Sequence, residues 1–289
     1  MDLDQAAERV ENALIGAIHA DLRRQDQLAL AYSGGLDSTI LAQLLSEYMD
    51  GDVYLVAVGA VGSRDVDRAR RNARFLQLPL VEVPVGPRVL ERDLATIVGL
   101  VGRTPVTDFI RKRHDLPLGA ATVNPVIVGV QAALFYAFRE ARRHAKRVLV
   151  GQGADELFGG YKRYESMPPE RMRRRMREDL AHLVDVARPI EARVAQHHGV
   201  EPRYPYLHEG VVAAAASLPS DVLVHEGDRK RVLRRVAERI GLPGDVARVP
   251  KTAAQYGSGI AGLLRSMAQN QGMLQHEWLA RFLPPETAV

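Results

Sequence analysis

The chain has 289 residues, 46% hydrophobic and 26% charged, with a formal net charge of +4, which describes an ordinary globular protein and excludes a disordered or low-complexity one. No apolar run is long enough to cross a bilayer, and Met1-Asp2-Leu3-Asp4-Gln5 lacks the basic and apolar regions of a leader, so the expected location is the cytoplasm with no membrane partner. Cysteine is absent, which excludes disulfides, Cys-based zinc sites and a cysteine nucleophile on this chain.

Apolar residues at Leu3, Ala6, Ala7, Val10, Leu14, Ile18 and Leu22 follow a helical period and predict an amphipathic first helix packed on the core, over residues 1–27. Leu28-Ala29-Leu30-Ala31 reads as a strand and is followed by Tyr32-Ser33-Gly34-Gly35-Leu36-Asp37-Ser38-Thr39, then a helix from Leu36 to Tyr48. Val53 to Val58 is a second strand, apolar throughout as a buried parallel strand should be, and Arg64 to Leu76 a helix. Leu80 to Val83 is a third strand, and Arg88 to Val101 a helix. Thr104 to Leu118, with two prolines and a charged run, reads as a surface connection near the site. Asn124 to Lys146 is a long helix with an asparagine cap, and Arg147 to Val150 a further strand. The rest reads as helices at 170–187, 209–217, 229–240, 260–267 and 274–282. Strands alternating with helices predict an α/β fold, a doubly wound parallel sheet with a mostly helical C-terminal half packed on it. The expected main unit is 28–265, with 266–289 a terminal helix and tail.

Two stretches carry chemistry. Adjacent glycines Gly34 and Gly35 let backbone approach a ligand, and the helix beginning at Leu36 presents unpaired N–H groups and the positive end of its dipole, which suits an anion. Ser33 and Ser38 add hydroxyl donors, and Asp37 suits a divalent cation bridging phosphate oxygens, so Tyr32 to Ser38 reads as a nucleotide polyphosphate loop with magnesium. A serine-glycine turn capping a helix is the plainer alternative. The second stretch, Gly151-Gln152-Gly153-Ala154-Asp155-Glu156-Leu157-Phe158-Gly159-Gly160-Tyr161, follows another strand, and its Asp155 can share a metal with Asp37.

Ser-Gly-Gly-x-Asp-Ser resembles the pyrophosphate loop of the ATP pyrophosphatases. With Gly151 to Tyr161, Glu201 to Leu207, Lys230-Arg231-Val232-Leu233-Arg234, and Pro250-Lys251 ahead of Gly257-Ser258-Gly259, the chain resembles the synthetase domain of the asparagine synthetases. The resemblance implies two steps: a carboxylate, aspartate favoured, attacks ATP to give an acyl adenylate and pyrophosphate, and ammonia or another amine displaces AMP. It further implies that Ser33, Gly35, Asp37 and Ser38 hold pyrophosphate, with Asp37 and Asp155 on magnesium. Val58, Val150 and Gly151 would meet adenosine through backbone groups, and Lys251 would stabilise the departing charge. For Lys230 and Arg234 a phosphate contact and a plain solvated face stand as equal readings.

Three departures bear on function. Full-length relatives begin with a glutaminase domain carrying an N-terminal cysteine, found nowhere here, so ammonia is expected from solution or a separate glutaminase subunit, or another amine replaces it. Gln152 stands where the family carries glutamate, and an amide hydrogen-bonds but takes no proton; Glu156, Glu165 or His208 are the alternative bases. His208 stands where the family pattern ends in aspartate, with a helix cap as its plainer reading. The basic run Arg171 to Arg177 reads as a solvated or subunit-facing helix rather than a nucleic-acid surface, His197-His198 as surface, and self-assembly is left open. Other acceptors, a tRNA or a nicotinamide precursor, and a regulator with reduced catalysis are the competing functions.

Overall fold

A computed structural model describes residues 1–22, 27–105, 121–248 and 257–285. Five strands form one parallel sheet in the order β3-β2-β1-β6-β7, where β1 is Leu28–Ala31, β2 Val53–Gly59, β3 Leu80–Pro84, β6 Arg147–Leu149 and β7 Glu201–Arg203. The short pairs β4 (Thr104–Pro105) with β5 (Ala121–Thr122), and β8 (Val224–His225) with β9 (Asp228–Arg229), are antiparallel. Residues 106–120 of the predicted connection lie outside the described residues.

Alternation along each strand builds two cores. Leu28 and Leu30, Val53, Leu55 and Ala57, and Leu149 face one apolar layer, while Ala29, Val56 and Val148 face the other. The first layer is covered by α1 (Leu3–Asp21), α2 (Leu36–Tyr48) and α3 (Arg64–Leu76), together with later helices α9 (Glu209–Ser217) and α10 (Arg231–Arg239). The second is covered by α4 (Pro87–Val101) and α5 (Pro125–Ala141), with C-terminal α12 (Ile260–Asn270) and α13 (Gln275–Ala280). Helices on both faces make the sheet doubly wound, as the alternation of elements predicts.

Local chemistry sets the boundaries. Asp2 and Gln5 form a reciprocal capping box at α1, and Asn124 Oδ1 accepts from Val126 and Ile127 at α5. One long helix predicted over 170–187 is instead α7 (Pro169–His182), a π turn (Leu183–Ala187) and α8 (Arg188–His198). Pro189 has no N–H to donate into the preceding turn; the π turn is the change in hydrogen-bond pattern that keeps the chain helical past it. Strand β7 contains Pro202 and is tolerated because it lies at the sheet edge.

Chain order reverses at β1. Strands β2 and β3 lie to one side, β6 and β7 to the other, so the crevice at the carboxyl ends of β1 and β6 is the switch point where such sheets bind ligands. Both motif loops leave the sheet there.

Candidate active site

The first loop is held rigidly before its helix opens. Tyr32 N donates to Val56 O at 2.9 Å, and its buried hydroxyl meets Thr39 Oγ1 at 3.1 Å, with burial pushing that phenol up to about 12. Gly34 has φ +67°, and a Cβ there would lie 2.5 Å from Ala69 N, so no other residue fits. Asn72 Nδ2 pins Gly34 O at 2.9 Å. Gly35 caps α2 without any side-chain hydrogen bond, leaving the first-turn N–H groups of Leu36, Asp37 and Ser38 directed at the crevice. Ser33 and Ser38 hydroxyls stand 3.2 Å apart beside them. A Cβ on Gly151 would come within 3.9 Å of Ser38 N, so the two loops meet.

In the second loop Asp155 belongs to α6 (Ala154–Phe158). A Cβ on Gly160 would fall 1.9 Å from Asp155 Oδ1 and 2.4 Å from Lys230 Cε, which explains the glycine there. Between the loops lies the ammonium of Lys230, 2.6 and 2.5 Å from the two Asp37 carboxylate oxygens and 2.6 Å from Asp155 Oδ1. Lys230 is only 4% exposed, and burial pulls its ammonium below the ordinary lysine range against the attraction of Asp37. The solvated-face reading of Lys230 is therefore corrected: it precedes α10 in the left-handed region, φ +55°, which turns its side chain inward. Arg234 binds the carbonyls of Arg229 and Ala247. Glu156 is buried and accepts from the Tyr161 hydroxyl, burial holding its carboxyl above the usual range.

Two carboxylates converging on one cation are a hard-oxygen donor pair that fits magnesium, which commonly takes one or two carboxylates and completes its shell with phosphate oxygens and water. Among the described residues no group of three or more acidic, histidine or cysteine side chains that could hold a metal gathers anywhere, so here the protein would supply two ligands.

Beside the phosphate loop runs a groove lined by Ala31, Tyr32, Ser33, Val56, Val58, Asp65, Val130, Ala133, Leu134, Ala137, Gln152 and Ser258. Apolar walls with a few polar groups are the makeup of a small-molecule slot. Asp65, buried beside Arg68 at 2.5 Å, has its carboxyl pushed up to about 6 by burial. Ala60 N donates to Ser258 O at 2.7 Å, and a Cβ on Gly257 would strike Asp65, so the segment 257–259 closes one end of the groove.

Of the residues singled out from sequence, Tyr32 to Ser38, Val58, Gly151, Gln152, Asp155 and Lys230 come together at this crevice. The Val150 side chain points into the second core, and its N–H donates to Arg203 O at 2.9 Å. Lys251 lies outside the described residues. His208 caps α9 by accepting from Gly210 N at 3.3 Å, and Glu165 pairs with Arg229 at 2.7 Å, so neither offers a free base. In the basic run, Arg173 binds Leu218 O and Arg175 pairs with Glu178 and Asp179. His197 is exposed, as read from sequence, and stacks on Phe135, while His198 is half-buried against the same ring, where burial lowers it to about 4. Asp65 and Glu191 were missed. Ser63-Arg64-Asp65 at a strand end was a readable signal for the first; Glu191, on a distant helix, had none.

Residues 9–189 and 165–283 match the family model described as asparagine synthase. A candidate glutamine-hydrolysing asparagine synthetase 1 of Methanocaldococcus jannaschii is 29% identical over 93% of this chain and 52% of its own length. Asparagine synthetase B of Escherichia coli is 26% identical over 96% and 50% respectively, and asparagine synthetase domain-containing protein 1 of Bos taurus 35% over 88% and 48%. The chain spans about half the length of these curated relatives.

Proposed function

This chain belongs to the asparagine synthase family, and from that premise we propose that it is an ATP-dependent, AMP-forming ligase that adenylates a small carboxylate, aspartate first among them, and passes the acyl group to ammonia or another amine. The observation that carries this reading is the meeting of Asp37, Asp155 and Lys230 beside an uncapped helix start at the switch point. An anion with a bound cation is what such a crevice stabilises.

In the first step a carboxylate oxygen bonds to the α-phosphorus as the bridging P–O bond breaks, and pyrophosphate leaves with the electron pair. The Ser33 and Ser38 hydroxyls and the first N–H groups of α2 donate to the pyrophosphate oxygens, and Lys230 adds a positive charge within reach. Lys251, placed by its Pro250-Lys251 motif, is a second point cation for the departing charge. Asp37 and Asp155 would hold magnesium, which when bound neutralises phosphate charge. The groove bounded by Val56, Val58, Ala133 and Leu134 receives the nucleoside, with Gly151 approaching through its backbone. In the second step the amine attacks the acyl carbon and AMP departs.

The test is AMP and pyrophosphate release from ATP, magnesium and ammonium with and without aspartate, against Lys251→Ala and Asp37→Asn. Aspartate-dependent AMP with asparagine supports the reading. ATP splitting with another carboxylate, a nicotinamide precursor or tRNA keeps the mechanism and replaces the substrate, a second reading favoured by the uncharged Gln152. No ATP splitting by a protein that still binds ATP refutes the enzyme. Free ammonia and ammonia from a separate glutaminase subunit are distinguished by adding ammonium alone.

A further inference from the structure

Joined to the groove through Gln152 is a polar cluster that the chemistry above does not use. Its centre is Glu191, fully buried on α8. Gln152 Nε2 donates to Glu191 Oε1 at 2.9 Å. Gln131 of α5, and Arg188 and Tyr204, are its other polar neighbours, with the Arg188 guanidinium 4.8 Å over the Tyr204 ring. Burying a carboxyl this completely is costly, and burial pushes Glu191 up to about 7. Among the described residues Glu191 Oε2, Gln131 Oε1, Arg188 Nε and Tyr204 Oη are buried with no partner at full hydrogen-bond distance, although Tyr204 and Gln131 lie close to Glu191. A core that served only packing would place apolar side chains here. Of the whole cluster, Gln152 is the member that also lines the groove.

A carboxamide has one donor end and one acceptor end. With the donor end held by Glu191, the carbonyl oxygen is the end left for the groove, and it takes no protein donor among the described residues. We propose that Glu191 is a positioning residue for the amine-transfer step: it fixes the Gln152 carboxamide so that the carbonyl oxygen receives an N–H of the attacking ammonia. This rests on the ligase reading above. As the C–N bond forms, the acyl C–O bond to AMP breaks with its electron pair on AMP. The proton shed by the ammonia nitrogen passes to water, because a neutral carboxamide accepts a hydrogen bond without taking the proton. Adenylation makes no use of this contact, since the carboxylate and ATP react before the amine is engaged.

The experiment separates the half-reactions. Carboxylate-dependent exchange of pyrophosphate into ATP, run without amine, reports adenylation; amide formation against ammonium concentration reports transfer. Glu191→Ala should leave exchange within about two-fold and raise KM for ammonium about ten-fold, the size of one lost orienting hydrogen bond. Glu191→Gln keeps an acceptor oxygen and should restore most of the loss. The Gln152→Ala/Glu191→Ala double variant should be no worse than Gln152→Ala alone. Exchange and transfer falling together, or additive losses in the double variant, overturn the proposal. A second readout needs no turnover: the side-chain amide resonances of Gln152 in 15N-labelled protein, assigned by their loss in Gln152→Ala, should shift in Glu191→Ala and remain near their original position in Glu191→Gln. Unmoved resonances overturn the positioning whatever the kinetics. Absence of exchange in the wild type, with the resonance shift present, refutes the ligase reading and with it the amine role, while leaving the Glu191–Gln152 contact standing.

Discussion

Replacing Lys230 by methionine removes one buried ammonium and keeps an unbranched apolar stem that stops one atom short of it. At about 2.6 Å and an effective dielectric near 20, each ion pair has a gross attraction of about 6 kcal/mol, most of it offset by the desolvation of a lysine that is 4% exposed. The net loss follows breaking a buried pair, about 3–5 kcal/mol. Asp37 and Asp155 side chains keep 23% and 22% exposure, so the lower end applies, about 3 kcal/mol. At about 2 °C per kcal/mol for a chain of this size, Tm falls by about 6 °C. Because the two carboxylates then face each other unneutralised, millimolar magnesium should raise Tm of Lys230→Met more than that of the wild type, the cation occupying the position that the ammonium held. Thermal unfolding of both proteins with and without magnesium checks this. A fall under about 2 °C, or equal magnesium responses, would refute the argument that one cation position is shared between lysine and metal.

Asp37→Asn should behave oppositely: Lys230 keeps Asp155, so Tm changes by less than in Lys230→Met, while AMP formation drops about a hundred-fold or more, read in the pyrophosphate-release assay. Gly160→Ala places a Cβ against the Asp155 carboxylate and the Lys230 stem; the Asp155–Lys230 pair or the loop must shift, and both stability, by about 1–3 kcal/mol, and ATP affinity measured by calorimetry should fall. Burial pushes the Glu191 carboxyl from the ordinary 4.5 up to about 7 in the folded chain. The folded state therefore binds the extra proton, and this group's contribution to stability is full below about 4.5 and is lost as pH rises through 7. Glu191→Gln should remove that slope, so that wild-type stability relative to the variant declines by about 3 kcal/mol across that window in denaturant titrations. A flat difference would show that Glu191 is not buried as a neutral acid.

Four of the five strands of the sheet were legible because strand and helix periods are local properties; β7, three residues long with Pro202 at its centre, carries no such period. Leu28 to Ala31 and Val53 to Val58 are apolar on both faces, and Arg64 to Leu76 begins at a serine cap that accepts from Val66 N. The two loops were legible because adjacent glycines, hydroxyls and an aspartate at a strand end have few other uses. Lys230 was misjudged as evenly balanced with a surface residue because its neighbours Arg231, Arg234 and Arg235 form a basic helix; its inward turn comes from a positive φ that no periodicity encodes. Glu191 was missed for a related reason. It lies just past the π turn and Pro189, where local rules predict a stop, and its role arises only where α8 meets Gln152.

The contact between Lys230 and Asp37 spans 193 positions of sequence, and this gives the site an order in time. During synthesis Lys230 emerges 193 residues after Asp37; at about 5–20 residues per second the interval is roughly 10–40 s. Through that interval the phosphate loop lacks the ammonium that pairs with Asp37, and until residues 147–149 emerge β1 has no β6 beside it. A ribosome-bound fragment ending before residue 230 is thus expected to hold nucleotide weakly, and competence arrives as a single event once residue 230 has emerged.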